Sequence, residues 1–320
     1  GGLPLALEVL GSYLLGRNLL EWRSAFEKLQ QIPHNKIQKI LRLSFDALED
    51  DKLKDIFLDI ACFFIGMNQD YVVNILNGCG FFSEIGISIL TSRCFLTINE
   101  NKELRMHDLT RDMGREIIRE ESPKEPGQRS RLWFHKDACA VLEKQKGTKA
   151  IEGVALVLPT LKEVHLNTKA FARMHNLRLL QINNVHLTGS YEHLSTDLRW
   201  LCWHNCPLKY LPSNFHLEKL VVLDMQNSSV EEVWRDIKYA GNLKVLNLSH
   251  SERLTNTPDF TGLPRLETLL LEGCTSLFEV HPSIGVLDRL VFLNLKDCKN
   301  IRNLPSSICL VKSLEHLNLT

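Results

Sequence analysis

Seven leucines recur along the second half of the chain at Leu177, Leu198, Leu220, Leu243, Leu266, Leu290 and Leu314, at steps of 21, 22, 23, 23, 24 and 24 residues. Each opens a unit with apolar residues at positions one, four and six, as in LVVLDM, LKVLNL, LETLLL, LVFLNL and LEHLNL. A single strand of this kind cannot bury its own apolar edge. Copies stacked side by side bury it for one another, so the period dictates a leucine-rich-repeat solenoid. Position nine holds Val185, Cys206, Ser228, Ser251, Cys274 and Cys298, small side chains that can pack inside a tight turn. Position three holds Leu179, Trp200, Val222, Val245, Thr268, Phe292 and His316, expected side by side on the concave surface. Within that row Trp200, Val222, Val245 and Phe292 are candidate protein-binding residues.

The first part of the chain has a different grammar. GGLPLALEVLGSYLLGR reads as a helix, with Pro4 in its first turn and Gly16 at its end. LLEWRSAFEKLQ and NKIQKILRLSFDALED add two more, and DKLKDIFLDIACFF becomes so apolar that it should be a buried central helix. After two further helices, CFLTINENKELRMH alternates around a polar tip and predicts a β-hairpin, followed by the helix DLTRDMGREIIREE. Helices, hairpin and helix together point to a winged-helix domain. SPKEPGQRSR, with its Pro, Gly and basic residues, is expected to be a linker.

Lys plus Arg and Asp plus Glu are both 38, so bulk attraction to nucleic acid or to an anionic membrane is not expected. A DNA-binding role for the winged helix is further disfavoured by the apolar IFLDIACFF helix. Nine cysteines without a CxxC pair suit a reducing compartment better than a disulfide framework. That makes a secreted repeat protein, for which the sequons at Asn227, Asn247 and Asn318 would matter, the weaker reading. Cys202, His204 and Cys206 have the chemistry of metal ligands, but alternation on a strand sends the first two outward and leaves Cys206 in the turn; no metal site is expected. The chain has no GxxxxGK[ST] loop, HExxH or GxSxG, so no independent enzyme and no complete nucleotide site is expected.

Two short stretches remain. In GLPLA, Gly2 to Ala6, a proline opens a helix and leaves backbone groups nearby for a ligand. In MHD, Met106 to Asp108, Asp108 is the expected N-cap of the next helix, Met106 should point into the core, and His107 could donate to an anion at the helix end. On spacing alone the plainer readings are stronger: a helix start, and a surface histidine before a capped helix.

Taken together, GLPLALEVLGSYL, RLSFDALEDDKLKDIFLDIACFF, MHDLTRDMGREIIREESPKEPGQRSRLW and the repeat LRWLCWHNCPLKYLPSNF resemble plant immune receptors. These are the TIR-type receptors with an NB-ARC nucleotide-binding module and leucine-rich repeats. The resemblance covers the chain and reverses the order of the two readings for both short motifs. It implies a multidomain fold, with an all-α part and a winged helix followed by an α/β leucine-rich-repeat solenoid. The expected boundaries are 1–35 for the last helices of the NB-ARC helical subdomain, 36–122 for the winged helix, 123–150 for the linker and 151–320 for the repeats.

The resemblance further implies an ADP-dependent switch, exchanging ADP for ATP on activation, in which Pro4 and Leu5 lie by the nucleotide. His107 would contact the β-phosphate, and Asp108 would hold the turn. It implies that the chain is a piece of a longer receptor whose phosphate-binding loop and NAD-cleaving TIR domain lie upstream. The expected partners are a pathogen effector or guarded host protein and the receptor's own nucleotide-binding domain, with oligomerisation on activation, in the cytoplasm or nucleus. The alternative is a stand-alone repeat scaffold that binds protein and no nucleotide.

Overall fold

A computed structural model describes residues 18–24, 41–42, 44–48, 50–157 and 164–319. Pro4 and Leu5 lie outside the described residues, as do most of the first two expected helices. The chain divides into two units, Gly1–Leu76 with Phe81–Pro123, and Asn77–Gly80 with Lys124–Thr320.

In the first unit Asp50 caps α1 (Asp51–Asp59), its carboxylate accepting from the Lys52 N–H. The helix runs on as a wider π turn through Ile60–Phe64, all of it buried, as the apolar run IACFF requires. α2 (Gln69–Gly78) and α3 (Ser83–Ser92) follow. The hairpin then pairs β1 (Thr97–Ile98) with β2 (Leu104–Arg105), Thr97 opposite Arg105 and Ile98 opposite Leu104. Asn99 closes its tip by accepting from the Asn101 and Glu103 N–H groups and donating to the Glu103 carboxylate. α4 (Asp108–Glu121) completes the unit. Its Gly114 lets α4 approach closely: a Cβ there would lie 2.9 Å from Phe57 Cε1 and 3.0 Å from Ala61 Cβ. One residue on, Arg115 Nε donates to the Ala61 carbonyl inside the π turn. Phe57 also stacks its edges against Phe45 and Phe95, each with centroids 5.3 Å away.

The second unit is built on a nine-stranded parallel sheet that opens with β3 (Arg131–Leu132) and β4 (Gly153–Leu156) and continues through the repeat strands in chain order. The repeat strands are β6 (Leu179–Ile182), β8 (Trp200–Cys202), β9 (Val222–Asp224), β10 (Val245–Asn247), β11 (Thr268–Leu270), β12 (Phe292–Asn294) and β13 (His316–Asn318). They pair with position three opposite position three throughout, from Leu179 to His316. The residues at positions four and six, from Leu180 to Leu295, form the core behind them, and parts of the return path are short 3-10 turns, as at Tyr191–His193, Pro282–Val286 and Ser306–Leu310. β5 (Val164–Asn167) and β7 (Val185–Thr188) make a separate two-stranded parallel pair.

The linker expected over 123–150 is not found. The segment carries a 3-10 turn at Pro126–Gln128, β3 (Arg131–Leu132) and α5 (His135–Glu143), and β3 joins the sheet beside β4 (Gly153–Leu156). Two of the three basic residues that suggested a solvated hinge are buried, and only Lys124 is exposed: Arg129 pairs with Asp137 at 2.7 Å and Arg131 is 2% exposed. Gly127 packs directly against the Lys146 carbonyl, and Thr148 Oγ1 donates to the Gly127 carbonyl. Composition suggested a loop, but the solenoid begins here, two strands before the regular leucine spacing.

The turns hold a second periodicity. Position eight adopts positive φ in every described repeat that has one: Asn184, Asn205, Asn227, His250, Gly273 and Asp297, at φ between +56° and +69°. Position nine then points inward. Ser251 Oγ donates to the Met225 carbonyl, and the Cys274 and Cys298 thiols reach the carbonyls of Leu248 and Leu271 in the preceding repeat.

Candidate functional site

The start of α4 is built differently from the sequence expectation. His107, and not Asp108, is the N-cap: its φ is −64° and ψ 140°, and its Nδ1 accepts from the Leu109 N–H at 3.2 Å. Its carbonyl accepts from Thr110 and Arg111. Asp108 is the first helical residue, where a carboxylate gains from the positive end of the helix. It is exposed and held by Arg111 at 2.6 Å, and Arg111 also grips Asp112 at 2.8 Å. Met106 is only half-buried, so it is not the core anchor expected of it.

The cap fixes the chemistry of the imidazole. With Nδ1 accepting, a neutral ring carries its proton on Nε2. His107 is exposed, so that N–H is available to an acceptor at the mouth of α4. The first turn fits an anion in that respect and resists it in another, since Asp108 and Asp112 add two carboxylates. Arg111 draws both back along the helix. Arg111 was not visible as part of this site in the sequence, nor was Thr110. Thr110's hydroxyl is buried in the same turn and has no partner among the described residues.

The proposed recognition row is aligned as expected but closed over most of its length. Trp200 and Val222 are fully buried and Val245 is 4% exposed, so these three are not an open binding face. They lie outside the leucine core, on the other face of the same strands. The row opens only at its far end, where Thr268 and Phe292 are half-exposed, His316 is exposed, and the Phe292 and His316 rings are 5.9 Å apart.

Residues 50–122, from the cap of α1 to the end of α4, match the winged-helix domain of Roq1-like disease resistance proteins. Over 89% of this chain, 40% of residues are identical to "Disease resistance protein RUN1" of Vitis rotundifolia, of which the match covers 23%. "TMV resistance protein N" of Nicotiana glutinosa is 38% identical over 99% of this chain and 27% of its own length. Residues 50–122 are thus a winged-helix domain of that type, and the chain is similar over most of its length to plant disease-resistance proteins. It spans about a quarter of the length of these relatives. Among solved structures, the leucine-rich repeat domain of the type III effector XCV3220 (XopL) aligns with 53% of this chain and 61% of its own, at 25% identity and a TM-score of 0.40. Among the described residues, no helix is long and apolar enough to cross a membrane.

Proposed function

We propose that this chain supplies the regulatory and recognition segment of an intracellular plant immune receptor. In it, a winged helix senses an adenine nucleotide and leucine-rich repeats receive a protein partner. The observation that carries the first half is the His107 cap. It holds the imidazole at the mouth of α4 with Nε2–H turned outward, the form that donates to a phosphate oxygen. What the cap supplies is one donor to the terminal phosphate of ADP, with Arg111 restraining the nearby carboxylates.

A magnitude limits that role. Moving a switch from 1:99 to 99:1 takes about 5.5 kcal/mol of differential binding. One hydrogen bond to a charged group contributes roughly 1.5–3 kcal/mol. His107 therefore shares the closed state with other contacts. In the intact receptor, His107→Ala raises signalling without pathogen to an intermediate level. Signalling equal to that of the triggered wild type would overturn the partition.

His107→Ser separates this reading from a stand-alone scaffold. A serine hydroxyl keeps the cap but is too short to replace the imidazole. ADP affinity of the receptor, measured by calorimetry, should fall about tenfold, whereas a scaffold without nucleotide contact would show no change.

A further inference from the structure

Position five of the repeat strands faces the same way as position three, and in β8 and β9 it brings Cys202 directly opposite Asp224. His204, two residues beyond Cys202, turns its ring back over the same spot. Its Nε2 lies 3.3 Å from Cys202 Sγ and 3.1 Å from Asp224 Oδ1. All three candidate ligand atoms fall within 4.8 Å of one another. Cys206, the third member of the trio suggested by the sequence, is on the other side of the chain in the solenoid core. The structure replaces it with a carboxylate from the next repeat.

This cluster is not a nucleophile with a general base. In such a relay the thiol and the carboxylate use different ring nitrogens. Here both crowd the same Nε2, and that nitrogen carries one proton or one lone pair. Protonated, it serves Asp224 and leaves the thiol to weaker acceptors such as Asn183 Oδ1, 3.9 Å away. Unprotonated, it accepts from the thiol and its lone pair faces the carboxylate. A shared three-centre bond serves both only weakly. A cation at the common point satisfies sulfur, nitrogen and oxygen together.

We infer that Cys202, His204 and Asp224 form a binding site for a single divalent cation, zinc by its ligand preference. Thiolate, imidazole and carboxylate are the set that zinc accepts. With its usual bond lengths, tetrahedral edges are about 3.5 Å for sulfur to nitrogen and about 3.3 Å for nitrogen to oxygen. The sulfur–nitrogen and nitrogen–oxygen edges thus need to lengthen by only about 0.2 Å.

The surroundings hold the ligands in place. Gln226 Nε2 donates to both oxygens of Asp224, at 3.1 and 3.2 Å, and the backbone N–H of His204 donates to Asn183 Oδ1 at 3.2 Å. Such outer partners orient ligands at metal sites. Cys202 and Asp224 are buried, while the His204 side chain is 28% exposed, so the cation enters and keeps its fourth ligand, water, on the His204 side. As the sulfur–zinc bond forms, the Cys202 thiol releases its proton to solvent. The thiolate and carboxylate then balance the two charges of the ion.

The test uses the whole 320-residue chain, stripped with chelator and titrated with Co2+. Binding should produce a sulfur-to-cobalt charge-transfer band and tetrahedral visible bands, both removed by one equivalent of Zn2+. One proton should be released per ion. Cys202→Ser should abolish the charge-transfer band and the proton release, and Asp224→Asn should weaken binding at least tenfold. His204→Ala, at the most open of the three positions, should do the same while leaving the circular dichroism unchanged, which guards against loss of fold in the buried variants. Absence of the band, or a band that survives Cys202→Ser, would overturn the site. A band lost on replacing Cys94 and Cys309, the two exposed cysteines, would do so as well.

Discussion

At the scale of single residues, two positions carry backbone roles that their names do not advertise. His107 caps a helix with a ring nitrogen, while Asp108, a stronger cap by general preference, serves one step later against the dipole. His107→Ala should cost about 1 kcal/mol of stability, and His107→Ser should restore most of it, as read by urea denaturation. Gly273 sits at φ +69°, and any Cβ there would run into His250 Nδ1 of the preceding repeat. Gly273→Ala should therefore destabilise by about 1–2 kcal/mol in the same assay. The signal for position eight was in the sequence: Asn184, Asn205, Asn227 and Asp297 are residues that tolerate left-handed backbone. His250 broke the pattern. Asp224 was missed for a related reason. It lies one repeat beyond Cys202 in the chain, and only the register of the strands makes them neighbours.

At the scale of elements, the long helices, the hairpin and the repeat strands were legible because each has a period: apolar residues on one helical face, alternation, or leucines at a fixed step. The segment 123–150 was not, because β3 contributes two residues and its neighbours are charged. Burial of Arg129 and Arg131 depends on partners such as Asp137 that only the folded chain brings near. The packing of α4 on α1 hinges on Gly114, and sequence alone gives no reason for a glycine in mid-helix. Gly114→Val should cost about 1–3 kcal/mol, since Phe57 and Ala61 leave no room for its methyl groups. Thermal unfolding followed by near-ultraviolet dichroism, which reports the Phe57 cluster, would register the loss.

At the scale of the whole molecule, all nine cysteines are free thiols, but their environments differ widely. Burial pushes the Cys206 and Cys274 thiols up to about 12, while Cys94 and Cys309 are exposed. Because the thiolate is the reactive form, iodoacetamide at neutral pH should label Cys94 and Cys309 first. Cys206 and Cys274 should react only as fast as the solenoid opens, a difference that peptide mass mapping resolves. The candidate recognition row shows where reasoning from sequence to surface stops. Leucine spacing placed its members in line, yet spacing says nothing about what else covers Trp200, Val222 and Val245. The strand-to-strand pairing itself has an evolutionary corollary. Since each coil meets the next without slippage, a duplicated coil can be spliced in anywhere and every column simply grows by one tooth. A solenoid of this kind can thus be lengthened one coil at a time, without having to invent the scaffold again.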